Sequence, residues 1–203
     1  MKVVGTGCGP GLLTEEAIRA ISGAVLIMGS SRALDLVSRF IPEGCEVRVI
    51  TDFSSLFIPD HAVVLSTGDP QLAGLGFLGG EIIPGISSLQ LAASRLHIPI
   101  DTVTIIDLHG KGNAPLSADI ASELRCGKRI FILADPAFRI RDLCTMLGGT
   151  GEGITIVLCE NLGYPEERIS VGTVADPPVP QSRLFVVFVG RFPSKNGNSP
   201  VSD

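Results

Sequence analysis

The sequence predicts an α/β protein of two domains, the first built on a mostly parallel sheet and the second on a mixed sheet. Through residues 1–100, short apolar runs alternate with amphipathic stretches, the βαβ rhythm of a parallel sheet. Runs such as residues 62–65 (AVVL) are apolar throughout, and strands that read this way are covered on both faces. Nearer the C-terminus, two runs are separated only by Ala175-Asp176-Pro177-Pro178-Val179-Pro180. With no helix between them, a hairpin-like antiparallel pairing is expected there.

The first strand is placed at residues 2–5 (KVVG), followed by the glycine-rich Gly5-Thr6-Gly7-Cys8-Gly9-Pro10-Gly11 and a helix beginning near Thr14. Thr14 can cap that helix, and Glu15 and Glu16 suit its positive end. A second strand at 24–28, an amphipathic helix at 30–40 capped by Ser30 or Ser31, and a third strand at 45–50 follow. The fourth strand, 62–66, runs into Thr67-Gly68-Asp69-Pro70. There Gly68 allows a positive φ or a close backbone approach, Asp69 can cap, and Pro70 suits the first turn of a helix. The fifth strand, 81–83, is closed by Pro84 and Gly85 and opens into a helix from Ser87 to about residue 96. Loops leaving neighbouring strand ends of an open α/β sheet line the crevice where ligands bind, although ordinary strand-to-helix turns look the same.

Ile98-Pro99 ends this pattern, and the domains are placed at 1–105 and 106–192, with a polar tail at 193–203 expected to be disordered. The second domain is read as strands at 102–108, 129–134, 154–160, 169–174 and 184–189, with helices at 116–125 and 136–147.

Hydrophobic content of 45% with 18% charge excludes a mainly disordered chain. The net charge of −5, the lack of a basic block and a single tyrosine disfavour a dedicated nucleic-acid binder, while leaving room for a local basic pocket. Five scattered cysteines without a C-x-x-C pair, and only three histidines, offer no metal-site spacing, so no metal is expected. The N-terminus lacks the apolar stretch of a signal peptide, and runs such as 184–189 fall far short of the roughly 20 residues that span a bilayer. A cytoplasmic protein is expected. The first loop invites a dinucleotide reading, but G-x-G-x-x-G begun at Gly5 and Gly7 requires glycine where Pro10 stands. The G-x-x-x-x-G-K-[ST] loop is absent too, since Gly110-Lys111 continues with Gly112 and Gly127-Lys128 with Arg129.

With the strand and Gly-Pro-Gly loop, Ser66-Thr67-Gly68-Asp69-Pro70 and Pro84-Gly85-Ile86-Ser87-Ser88 in that order, the chain resembles the tetrapyrrole methylases over nearly its whole length. Gly29-Ser30-Ser31-Arg32, Leu108-His109-Gly110-Lys111 and the stretch from Glu160 to Ile169 (ENLGYPEERI) resemble the branch of that family that methylates C5 of (cobalt-)precorrin-7 in cobalamin biosynthesis. The resemblance implies S-adenosylmethionine held in a cleft between the two domains, largely by backbone groups. The implied contacts are Pro10, Thr67, Gly68, Asp69, Leu72, Ser87, Ser88, Ala134 and Leu162. The first loop departs from the family pattern, with Thr6-Gly7-Cys8 lengthening it before Gly-Pro-Gly. The resemblance also implies a homodimer and, since the chain stops at Asp203, a separate C15-methylating decarboxylase in the same pathway.

A tetrapyrrole substrate carries many carboxylates, which calls for cationic donors around an apolar trough. Arg32, His109 and Lys111 are the candidates, and each has a plainer reading: Arg32 a solvated helix residue, Lys111 a loop charge, His109 an orienter of its own loop. Asp69 caps the next helix, contacts the cofactor's amino group, or does both. No catalytic base stands out, as expected where the cofactor brings the activated group and the protein mainly orients. Other readings are methylation at another ring position, of a diphthamide precursor or of ribosomal RNA, a nucleotide-dependent oxidoreductase, and a non-catalytic binding subunit.

Overall fold

The computed structural model of the chain describes residues 1–52, 57–108, 119–134, 138–148 and 153–192. It divides into two compact units, Met1–Ile100 with Glu160–Arg168, and Asp101–Cys159 with Ile169–Asp203. The first holds β1 (Lys2–Gly5), α1 (Glu15–Ser22), β2 (Leu26–Gly29), α2 (Ser31–Val37), β3 (Glu46–Val49), β4 (Val63–Ser66), β5 (Glu81–Ile83) and α3 (Ser88–Leu96). The second is built from β6 (Val103–Asp107), α4 (Asp119–Arg125), β7 (Arg129–Leu133), α5 (Ile140–Leu147), β8 (Thr155–Glu160), β9 (Arg168–Thr173) and β10 (Phe185–Gly190).

The first sheet has the order β3-β2-β4-β1-β5 and is parallel throughout. β2 and β4 are buried along their whole length, which is why their sequences are apolar without alternation. One face packs Val4, Ile27, Leu65 and Ile83 against Ala17 and Ile21 of α1 and Ala33, Leu34 and Val37 of α2. On the other face Leu26 and Met28 join Ile50 and Ala62. The helices start where hydroxyl side chains satisfy their first N–H groups. Thr14 Oγ1 accepts from Ala17 N at 3.1 Å, Ser30 Oγ from Ala33 N at 3.3 Å, and Ser87 forms a reciprocal capping box with Gln90.

The helix expected after Pro70 does not form. β4 and β5 are joined by turns and a short 3-10 helix, Leu75–Leu78. Four glycines (Gly74, Gly76, Gly79, Gly80) fall in the ten residues after Pro70, each costing an α-helix about 1 kcal/mol relative to alanine. Tertiary bonds take over: Ser66 Oγ accepts from Leu75 N at 3.2 Å, and Gly76 N donates to Pro70 O at 2.8 Å.

The second sheet has the order β6-β7-β10-β8-β9 and is mixed, with β6 parallel and β10 antiparallel to β7. β9 and β10 therefore do not form the expected hairpin, because β8 lies between them. Burial explains the order. All six residues of β10 (FVVFVG) are buried, and the Phe188 ring packs tilted against Phe131 of β7 with centroids 5.0 Å apart, whereas β9 (RISVGT) is partly exposed and suits an edge. Among the described residues no helix is long and apolar enough to cross a membrane.

Candidate functional site

Because every strand of the first sheet runs the same way, the loops after β1, β4 and β5 leave from one edge, and β1 lies between the other two strands. They are bonded to one another rather than merely adjacent. Thr6 N donates to Ser66 O at 2.8 Å, Gly7 and Gly68 exchange N–H···O bonds of 3.2 and 2.8 Å, and Cys8 N donates to Ile86 O at 2.9 Å. Gly68 has φ +72°, a conformation that favours glycine. Gly5 and Gly85 meet backbone to backbone: a Cβ on Gly85 would lie 2.2 Å from Gly68 O.

Asp69 caps no helix. Its Oδ1 accepts from Gln71 N at 2.7 Å and its Oδ2 from Gly85 N at 3.1 Å, so one carboxylate ties the fourth-strand loop to the fifth. Thr67 is half-buried beside it, and Leu72 N donates to Asp69 O at 3.1 Å. Pro10 is exposed at the tip of the first loop. Ser87 is buried as the cap of α3, and Ser88, the first residue of α3, is half-buried. Leu162 is buried and belongs to the first unit, where a Cβ on Gly9 would lie 2.7 Å from its carbonyl oxygen. The structure thus brings Pro10, Thr67, Gly68, Asp69, Leu72, Ser87, Ser88 and Leu162 into one unit. Ala134 follows β7 in the second unit, half-buried against that unit's core. His109 and Lys111 lie outside the described residues.

Arg32 makes two side-chain hydrogen bonds within the first unit. Its Nη2 donates to Cys8 O at 2.6 Å and its Nε to the Tyr164 hydroxyl at 3.1 Å. A second arginine holds the same segment, as Arg95 Nε donates to Glu167 Oε1 at 2.6 Å while Gly163 N donates to Glu167 Oε2 at 2.8 Å. Burial pushes the Glu167 carboxyl up, but Arg95 and the Gly163 N–H outweigh it and hold the group below its ordinary value. At the root of the segment Arg168 Nε donates to Glu160 Oε2 at 2.8 Å, and Glu160 is only 1% exposed. The sequence reading assigns no role to Cys8, Arg95, Tyr164 or Glu167. The available signal is that Tyr164, the one tyrosine of the chain, shares a motif with Glu167.

Burial pushes the Cys8 thiol up to about 11, with Arg32 pulling the other way, which favours the protonated thiol at neutral pH. The N-terminus of α1 is closed by Thr14, whose Oγ1 also donates to Pro84 O at 3.4 Å. No pyrophosphate cradle of the dinucleotide type is built there. What the edge offers is backbone polar groups, hydroxyls and one carboxylate, a surface for binding and orienting rather than for proton transfer.

Residues 2–178 match the family described as Tetrapyrrole (Corrin/Porphyrin) Methylases. The chain belongs to the tetrapyrrole methylase family. It is accordingly a methyltransferase, and its two α/β units, parallel sheet then mixed sheet, are the fold of tetrapyrrole methylase structures. A probable cobalt-precorrin-7 C(5)-methyltransferase of Methanocaldococcus jannaschii is 30% identical over 196 residues, 84% of this chain and 88% of that protein. A decarboxylating precorrin-6Y C(5,15)-methyltransferase of Sinorhizobium sp. is 30% identical over 195 residues, which is 86% of this chain and 45% of that protein. The crystal structure of the precorrin-6Y methylase of cobalamin biosynthesis from Archaeoglobus fulgidus superposes with a TM-score of 0.72 at 29% identity, covering 94% of this chain and 97% of that one.

Proposed function

We propose that this methyltransferase moves a methyl group from S-adenosylmethionine to C5 of (cobalt-)precorrin-7 in cobalamin biosynthesis. The observation that carries the reading is the edge of three mutually bonded loops in a chain matched to the tetrapyrrole methylases from residue 2 to residue 178. Likeness to the archaeal C(5)-methyltransferase over 88% of that protein supports the choice of ring position.

The residues present fit the cofactor. A carboxylate, hydroxyls and backbone groups suit a nucleoside with a cationic sulfur, whereas a pyrophosphate needs the open helix N-terminus or cationic cradle that the described loops lack. Pro10, Thr67, Gly68, Asp69, Leu72, Ser87, Ser88 and Leu162 of the first unit would hold it. When bound, it supplies an activated methyl group. The loops bind and orient, and their cross-bonding fixes those contacts before the ligand arrives, which limits the ordering cost of binding. His109 and Lys111 are assigned to the carboxylates of the tetrapyrrole.

Calorimetric titration with S-adenosylhomocysteine, then on the same sample with NAD⁺, tests the cofactor. Saturable binding of the first alone is expected; binding of NAD⁺ alone would replace this reading with a dinucleotide one. Incubation with S-adenosylmethionine and cobalt-precorrin-7 should add one methyl group, located at C5 by NMR. Methylation elsewhere on the ring would keep the family and overturn the position.

A further inference from the structure

An arginine in the first turn of α2 suits a substrate carboxylate, but the geometry sends Arg32 elsewhere. Its Nη2 donates to the carbonyl of Cys8 in the first ligand loop, and its Nε to the hydroxyl of Tyr164 in the 160–168 segment. Its guanidinium carbon also lies 5.7 Å from the centre of the Tyr164 ring. Cys8 is gripped from its other side as well, since its N–H donates to Ile86 O in the third loop. Next in the chain, Gly9 packs so closely on Leu162 and Gly163 that a Cβ has no room. One planar fork therefore joins α2, the first loop and the 160–168 segment, two residues before Pro10.

We propose that Arg32 is a positioning residue for the cofactor loop, setting the Cys8 carbonyl and with it the course of the chain to Pro10, and is not a ligand of the substrate's carboxylates. The inference rests on the methyltransferase reading above. A guanidinium holds two acceptors in fixed directions at once, whereas a lysine ammonium is a point donor on a flexible stem. Cys8 O and Tyr164 Oη lie on segments far apart in sequence that touch at Gly9 and Leu162, and the fork adds a directed, charge-assisted tie that fixes how the Cys8 carbonyl is oriented against Tyr164.

The test compares wild type, R32A, R32K and Y164F by S-adenosylhomocysteine titration below each variant's melting temperature. Steady-state kinetics then vary S-adenosylmethionine and cobalt-precorrin-7 in turn. Losing the charge-assisted bond to Cys8 should weaken S-adenosylhomocysteine about tenfold in R32A, with little rescue in R32K, and about threefold in Y164F, which keeps the ring but loses the acceptor. KM for the tetrapyrrole should change less than KM for the cofactor. Unchanged cofactor affinity in R32A overturns the inference, whether tetrapyrrole KM rises, as for a carboxylate ligand, or only the melting temperature falls, as for a purely structural contact. If R32A does not fold, unchanged affinity in both R32K and Y164F overturns it equally. Wild type that fails to bind S-adenosylhomocysteine would instead remove the methyltransferase reading, and this inference with it.

Discussion

Around β1, β4 and β5 the first sheet ends in loops that meet backbone to backbone, whereas at its other flank β3 shows all four of its residues to solvent, with Val47 43% and Val49 59% exposed. Both flanks belong to one parallel sheet. The difference lies in what fills the space beside the strand. At the carboxyl edge of β1 it is other main chain, placed there by Gly5, Gly68 and Gly85 and tied by Asp69. Beside β3 it is water and an ion pair, Arg48 Nε to Glu46 Oε1 at 2.7 Å, with both side chains about half exposed. A Cβ added at Gly5 or Gly85 has nowhere to go, while a side chain changed on β3 keeps much of its surface in solvent.

The largest effect is expected at Gly85. In G85A the new Cβ would sit 2.2 Å from Gly68 O and 2.8 Å from Gly5 C, and neither backbone atom can swing away as a side chain would. Overpacking of this kind costs about 3 kcal/mol, so the denaturant midpoint should fall. S-adenosylhomocysteine binding should be lost in the protein that still folds. An unchanged midpoint would mean that the loops separate freely and that the edge is not preformed.

Asp69 gives a smaller effect of the same kind. Asp69→Asn leaves one carbonyl oxygen for two N–H donors and points an NH₂ group at one of them. About 1–2 kcal/mol should be lost. Amide exchange at Gly85, whose N–H the carboxylate accepts, should quicken more than exchange in the β1 core, because the loss is local.

Asp69 also marks where sequence reading ends. Strands, caps and the two-domain α/β class were legible because each rests on neighbours: the apolar runs of β2 and β4, and Thr14, Ser30 and Ser87, each three residues before the N–H group it accepts from. Asp69 accepts from Gly85, sixteen residues on, as well as from Gln71, and Arg32 donates to Tyr164, 132 residues on, as well as to Cys8, so local spacing offers a cap or a solvated charge equally well. The order of the second sheet was hidden for a related reason. The break at residues 175–180 is compatible with a hairpin, and only competition for the interior, which β10 wins over β9 by its six buried residues, inserts β8 between them. The missing helix after Pro70 shows a local bond from Gln71 N to the Asp69 carboxylate and a longer-range one from Leu75 N to Ser66 prevailing in a glycine-dense stretch where helix propensity is weak.

The Arg95–Glu167 contact makes part of the stability depend on pH. The Glu167 carboxyl is held below its ordinary value in the folded protein, so the stability it adds is present above the unfolded carboxylate pKa of about 4.3 and is lost as pH falls through the lower folded value. E167Q should therefore be less stable than wild type at pH 7. The gap should be about 1 kcal/mol or less, because Arg95 is 45% exposed and screened by solvent. It should close under acid conditions below the ordinary carboxylate range. A gap independent of pH would assign the effect to packing rather than to charge.

At β3 the expected effect is smallest. Val49→Thr keeps the β-branched shape that suits a strand and exchanges a methyl group for a hydroxyl at a site 59% exposed. Stability should stay within about 0.5 kcal/mol of wild type, and S-adenosylhomocysteine affinity should not move. This null result carries weight because Val49 belongs to the same sheet as Gly5 and differs in what lies against it. Should Val49→Thr cost as much as Asp69→Asn, something other than water covers β3 in solution. A fall in cost on dilution would then identify the cover as a second chain, and the contrast between the flanks would be one between an intramolecular and an intermolecular contact.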